Sequence, residues 1–204
     1  MVEARKYLEK NNNISFFKML GTGIEGGFIL PDFSVYSLLC VWKDKESGLN
    51  FLNDSEHAHE IKKKAKKRVD YLMVPILSNG LWDNVNPFNF KKSEDIDPNN
   101  KIGVITRGKI KLTKQLDFWL NVPAASKAIK FAKGVEFYKG IGELPFLSQA
   151  TFSVWKDSKS IYDFAYKNNA HAEVIKKTRK RGWYSEDLFA RFEILNTQKK
   201  YFSQ

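Results

Sequence analysis

One cysteine, three histidines and six prolines in 204 residues set the first limits on this chain. Cys40 has no partner within the chain, so no intramolecular disulfide holds the fold, and the composition suits a reducing compartment. No uninterrupted apolar run approaches the roughly 18 residues that a spanning helix needs. The opening Met-Val-Glu-Ala-Arg-Lys lacks the apolar core of a signal peptide, so a cytoplasmic location is expected, with any membrane contact peripheral. Few prolines, together with 43% apolar and 14% aromatic residues, exclude a disordered or fibrous chain. Acid is also in short supply, with 34 Lys and Arg against 23 Asp and Glu and a net charge of +11. That balance calls for an acidic partner: nucleic acid, anionic lipid or an acidic protein. The sequence holds no helix-turn-helix, RNP aromatic motif or zinc module, so nucleic acid is not expected.

An internal repeat organises what is present. Val41-Trp42-Lys43-Asp44 recurs as Val154-Trp155-Lys156-Asp157, and the offset of 113 residues holds without a gap through Tyr71 and Tyr184. Within that stretch 12 of 31 positions are identical, too many for common charged and apolar residues to supply by coincidence. The division expected is residues 1–83, a polar connector 84–100 rich in turn formers, and residues 101–204.

The second repeat is the easier to read. Gly103–Lys111, Val135–Ile141, Ala150–Trp155 and Asp187–Leu195 have the composition and alternation of strands. Leu112–Ala132 has helical periodicity, with a break expected at Pro123. Asp157 is placed to cap a helix over Ser158–Tyr166, and Asn168 to cap another running to about Arg181. The order is β-α-β-β-α-β, the ferredoxin-like unit, with its second helix in two pieces. The first repeat follows the same order from Glu3–Lys10 and Ile14–Leu20 onward, without the opening strand. Either the gene start lies upstream, or another element or chain covers that sheet edge. The expected fold class is therefore α+β: two tandem ferredoxin-like repeats, the first lacking its opening strand, packed face to face within one chain or in a dimer. The space between sheets is the natural place for a ligand.

Several motifs give way to simpler readings. Gly21-Thr-Gly-Ile-Glu-Gly26 matches the dinucleotide fingerprint, but Gly27-Phe28-Ile29-Leu30-Pro31 opens no helix, so it reads as a turn. Cys40 lies in an apolar strand with no adjacent cation to activate it, and is expected to be a buried structural thiol. His57 and His59, two apart, point away from each other on a helix and cannot share a metal.

His171 differs. With Val174, Ile175 and Thr178 it falls on an inward helical stripe, where the first repeat has Ala58. It is either a satisfied core histidine or a neutral imidazole offered to haem iron in an apolar cavity. Trp155 and Trp42 share one repeat position, for which packing is the simpler explanation. Trp183 stands where the first repeat has Asp70, and would help line a cavity near His171. On the candidate strand Gln149, Thr151, Ser153 and Trp155 share one face, and Ala150, Phe152 and Val154 the other. Alternation alone does not say which face meets the helices.

Gly140-Ile-Gly-Glu-Leu-Pro145, Gln149 to Trp155, His171-Ala-Glu and the long run Thr178 to Phe192 together resemble the spheroidene monooxygenase family of carotenoid biosynthesis. Gly21-Thr-Gly, Gly26-Gly-Phe28, Pro31-Asp32, Tyr36, Trp42 and Arg107 to Ser126 are similar as well, so the resemblance covers most of the chain. It implies a dimeric α+β barrel type of fold and oxygenation of a carotenoid at an acyclic end, first to a hydroxyl and then to a keto group. It implies haem as cofactor with His171 as the proximal ligand; Gln149, Phe152, Trp155 and Trp183 are the candidate cofactor-binding residues beside it. Other readings are a different haem enzyme on the same scaffold, peroxidase-like or dehydratase-like, and a non-catalytic ligand-binding module.

The charge excess is localised. Lys62, Lys63, Lys64, Lys66, Lys67 and Arg68, with Lys176, Lys177, Arg179, Lys180 and Arg181, supply eleven basic residues, the whole of the +11. They occupy equivalent helix ends in the two repeats. They form either solvated helix faces or a contact with anionic membrane, where an apolar substrate resides.

Overall fold

The computed structural model describes residues 2–24, 27, 30–88, 97, 99–143, 147–167, 178 and 180–202. In chain order the elements are α1 (Val2–Lys10), β1 (Ile14–Gly23), β2 (Pro31–Trp42), α2 (Lys45–Asp54), α3 (Glu56–Lys64), β3 (Lys67–Gly80), β4 (Ile102–Ile110), α4 (Gln115–Lys130), β5 (Val135–Gly142), β6 (Ser148–Trp155), α5 (Ser158–Lys167) and β7 (Tyr184–Tyr201). A short 3-10 turn, Leu112–Lys114, leads into α4. The class is α+β, with the strands in one sheet in the order β2-β1-β5-β6-β4-β7-β3. The β1–β5, β5–β6, β4–β6 and β4–β7 pairings are all antiparallel.

Contacts divide the chain into two compact units. The first comprises Met1–Met19, Leu38–Leu72 and Leu195–Gln204, the second Leu20–Ser37 and Met73–Ile194. This is a different cut from the division at residues 84–100, because it follows packing rather than chain order.

In the first unit, Asp44 caps α2 by accepting from the backbone N–H of Ser47 at 2.7 Å. Ser55 closes the α2–α3 corner: its hydroxyl donates to the Phe51 carbonyl and accepts from Ala58 N–H. Trp42 stacks on Phe51 at 5.0 Å between ring centroids, and Leu8 and Ala58 are buried. Arg68, at the start of β3, is not part of a solvated helix face. The helix has ended at Lys64, and strand geometry turns the Arg68 side chain inward onto Asp70 at 2.9 Å. Lys62, Lys63, Lys64, Lys66 and Lys67 are exposed.

In the second unit, Asp157 accepts from Ser160 N–H at 2.7 Å at the start of α5, and Trp155 stacks on Phe164 at 5.0 Å. Ile102, Val104 and Trp155 pack with Ile161 and Phe164 of α5 and with Ile129 on α4. The helix over α4 continues through Pro123, where a break was expected. Proline there removes one N–H donor to the carbonyl of Trp119 without ending the helix. Strand β7 outlasts the apolar pattern by six residues, because ladder hydrogen bonds do not require apolar side chains in Asn196–Tyr201.

Candidate functional site

Alternation along β4, β6 and β7 separates two faces. Ile105 lies opposite Phe152 on β6 and Ala190 on β7, and Arg107 opposite Ala150 and Leu188. Ile102, opposite Trp155, faces the helices α4 and α5. Arg107 therefore belongs to the other face, among the buried Ile105, Ala150, Leu188, Ala190 and Phe192.

A guanidinium in such surroundings is costly unless it is paired. The Arg107 side chain is only 1% exposed, and the protein answers its charge from three directions. Glu186 forms the direct ion pair, while Asp83 at 3.6 Å and Glu143 at 3.8 Å approach one terminal nitrogen. The ring of Trp82 lies 5.4 Å from the guanidinium carbon, and its indole N–H donates to Glu143 at 2.9 Å. Glu186 also accepts from the backbone N–H groups of Asp83 at 3.1 Å and Asn84 at 2.7 Å. Both of those residues have positive φ, in a tight turn whose ends, Trp82 and Val85, pair with each other. Gly80, at φ +92°, ends β3 against the Asp187 carbonyl, where a Cβ would stand 2.2 Å from the oxygen. Burial pushes the Glu186 carboxyl up, but bonds from Asn84, Arg107 and Asp83 outweigh it and hold the group below the ordinary glutamate range.

The cluster is incompletely satisfied. Two buried guanidinium nitrogens of Arg107, Nε and one terminal nitrogen, have no hydrogen-bond acceptor. Arg107 can anchor or polarise an oxygen that reaches its unfilled donors, on a face that carries apolar side chains and, opposite Phe152, the Lys139–Asp32 ion pair.

The residues singled out from sequence are distributed over several places. Phe152 shares the face of Arg107 and lies 6.2 Å from Phe137 between ring centroids. Gln149 and Trp155 are on the opposite face, where the Trp155 indole donates to Ser153 at 2.9 Å. Trp183 is buried in a separate cluster with Ile110 and Phe118, and its indole donates to Asp117 at 2.7 Å. That bond, assisted by Arg181, holds the Asp117 carboxyl below its ordinary range. His171, the candidate haem ligand, lies outside the described residues, as do Lys176, Lys177 and Arg179. The exposed His59 has its Nδ1 2.9 Å from the Ser55 carbonyl. Cys40 is half-buried, and burial pushes its thiol up to about 12, as expected of an inert cysteine. Among the described residues no group of His, Cys, Asp and Glu is arranged to hold a metal.

Sequence reasoning passed over Arg107, Glu143 and Glu186 as site residues, although each falls in a stretch that carries the family resemblance. The available signal was a lone arginine within the apolar strand GVITRGKI. The first unit holds a cleft of about 290 Å³, lined by residues including Tyr7, Asn13, Trp42, Asn50 and Phe51.

No family model matches the chain. The spheroidene monooxygenase of Cereibacter sphaeroides is 38% identical over 189 residues, which cover 91% of this chain and 57% of that protein. That of Rhodobacter capsulatus is 30% identical over 203 residues, covering 97% and 83%. That of Rubrivivax gelatinosus is 30% identical over 184 residues, covering 90% and 70%. The chain thus spans a little over half the length of the first of these relatives and most of the other two. Among solved structures, an aldoxime dehydratase in complex with butyraldoxime aligns with all of this chain and 77% of its own at a TM-score of 0.59. At 10% identity that likeness concerns the fold.

Proposed function

Because the chain belongs to the spheroidene monooxygenase family, we propose that it is a haem-dependent monooxygenase that hydroxylates and then ketolates a carotenoid or similar apolar substrate. The observation that carries this reading is the identity to three spheroidene monooxygenases over at least 90% of the chain. In support, one face of the sheet is largely apolar, and on it the buried Arg107 retains unfilled hydrogen-bond donors. Apolar side chains there exclude water, and Arg107 positions whatever oxygen enters.

Haem, when bound, would supply the activation of dioxygen for attack on a C–H bond. Its proposed ligand is His171. Of the residues proposed beside it, Phe152 shares the Arg107 face, while Gln149 and Trp155 lie on the opposite face of β6 and Trp183 packs in its own cluster, so Phe152 is the one proposed to meet the substrate with Arg107. The haem assignment therefore rests on His171.

The frame proposed for this chemistry is two tandem ferredoxin-like repeats, 1–83 and 101–204, in a dimeric α+β barrel arrangement. The matching caps and stacks at Asp44–Trp42–Phe51 and Asp157–Trp155–Phe164 support it. No helix among the described residues is long and apolar enough to cross a membrane. Contact with anionic membrane through Lys62, Lys63, Lys66, Lys67, Lys176, Lys177 and Lys180 is part of the same reading, since the substrate class is lipid-borne.

The test is spectroscopic. Reconstitution with haem is expected to give a Soret band that is lost in His171→Ala; an unchanged spectrum in that variant removes the ligand assignment. Product analysis with an acyclic carotenoid against small aldoxime and peroxide substrates separates the monooxygenase from another haem enzyme on this scaffold. A protein that takes up no haem is instead a ligand-binding module.

A further inference from the structure

Helix α4 is apolar on two sides, and the fold uses only one of them. Phe118 is buried against Ile110 and Trp183, and Ile129 packs on the Ile102–Trp155 cluster. An amphipathic helix needs one apolar stripe for that purpose. Yet Leu112 is 77% exposed, Leu116 84%, Leu120 81% and Phe131, just past the last turn, 79%. At 3.6 residues per turn, Leu116 projects about 160° away from Phe118, so the leucines form a second stripe facing out. Leu116 and Leu120, at i and i+4, form that stripe on α4, and Leu112 is exposed on the 3-10 turn before it.

The charges beside it have one sign. Residues 111–133 carry five lysines, at 111, 114, 127, 130 and 133, and a single acid, Asp117. Asp117 is already engaged by Arg181 and by the Trp183 indole. Lys111, Lys130 and Lys133 are exposed and have no ion-pair partner among the described residues. An isologous contact between two copies would bring this basic margin toward its own equivalent, which opposes association. A bilayer with anionic headgroups meets both demands at once, taking leucine and phenylalanine into its acyl boundary and lysine at its surface.

We propose that the Leu116–Leu120 face of α4, extended by Leu112 on the preceding 3-10 turn and by Phe131 just past the helix, is a docking surface that lies in the interface of an anionic lipid bilayer, with Lys111, Lys130 and Lys133 at the headgroups. This goes beyond attraction through the lysine runs, because it assigns insertion of named apolar side chains on a different element. It depends neither on haem nor on the monooxygenase reading, since binding is measured without turnover.

The full chain is sedimented with phosphatidylcholine vesicles containing about one-third phosphatidylglycerol, and with phosphatidylcholine alone. Binding is expected to the anionic vesicles, and Leu116→Glu/Leu120→Glu is expected to weaken it by about tenfold or more. Both leucines are largely exposed, so the variant is expected to keep the melting temperature of the parent. A nitroxide on Leu120→Cys, in a Cys40→Ser background, should gain accessibility to oxygen and lose accessibility to a water-soluble relaxant when vesicles are added. Absence of vesicle binding overturns the proposal, as does binding that survives the leucine pair but is lost in Lys62→Glu/Lys63→Glu. A leucine pair that turns a dimer into a monomer by light scattering, with vesicle binding intact, reassigns the face to a contact between copies.

Discussion

Each compact unit buries an arginine next to a carboxylate, and the two are answered differently. Arg68 in the first unit bonds Asp70 at 2.9 Å and the Leu52 carbonyl at 2.7 Å. Arg107 in the second is surrounded by three carboxylates and a tryptophan ring, yet two of its nitrogens have no acceptor. The first is a clamp, holding the end of α2 to β3 through direct bonds. The second is held in place by Glu186, with Nε unbonded and one terminal nitrogen only ion-paired to Asp83 and Glu143, which suits a residue that binds something else. Counting charges would have ranked Arg107 as the better satisfied of the two; counting satisfied donors reverses that order.

The largest effect that tests this difference is expected from Arg107→Met. Removing one partner of a buried pair costs about 3–5 kcal/mol, because Glu186 would remain buried without its counter-charge. Arg68→Met should cost less, about 1–3 kcal/mol, because burial already makes the Asp70 carboxyl easier to protonate. Chemical denaturation of the two variants measures the difference, and equal losses would break the distinction. Sharpening it takes the double variant Arg107→Met/Glu186→Gln, which should recover most of the stability but not the positioning role proposed for Arg107.

A smaller effect, of opposite sign in the two units, is expected with pH. Glu186 has a folded pKa below its unfolded value near 4.3, so its contribution is fully present above that pH and is lost as pH falls through the folded pKa. Asp70 is raised, chiefly by burial and against the pull of Arg68 and Lys200. Its contribution is present below the unfolded value near 3.9 and declines as pH rises through the folded pKa. Glu186→Gln should therefore flatten the acid limb of the stability curve, and Asp70→Asn the limb just above it. Equilibrium unfolding between about pH 3 and 6 tests this, and slopes that change in the same direction in both variants would contradict the assignment.

The same contrast explains what could be read before the structure. Strands at 103–111, 135–141 and 150–155 and the cap at Asp157 are local signals, and all are present. The Arg107 site is not local. A charged residue in a strand reads as solvent-facing, and its partners Asp83, Glu143 and Glu186 come from three separate parts of the chain. Arg68 was grouped with the lysines before it because a run of like charge reads as one surface, whereas the change from helix to strand after Lys64 reverses the rule for facing. The faces of β6 could not be ordered from alternation because Ala150 and Val154 on one and Ser153 and Trp155 on the other are all buried. Only packing partners, Ile161 for one face and the Arg107 neighbourhood for the other, distinguish them.

The smallest expected effect is at Gly48, in the tryptophan corner of the first unit. Gly48 on α2 stands at the repeat position that Ile161 occupies on α5. Ile161 is buried against Trp155, so Ile161→Ala should lose about 2–4 kcal/mol. At Gly48 a Cβ would meet Trp42 Cδ1 at 3.1 Å and Cγ at 3.2 Å, tighter than ordinary contact. Alanine gains about 1 kcal/mol over glycine inside a helix, so the sign depends on whether Trp42 can move by a few tenths of an ångström. Trp155 has no such freedom within its filled cluster. Trp42 does, being half-buried and bordered by the cleft near Asn13 and Asn50. Gly48→Ala is therefore expected to stabilise the protein by about 0.5 kcal/mol, read as a rise in Tm. A loss of stability would mean that Trp42 is as firmly fixed as Trp155, and that the cleft beside it gives the first unit no slack.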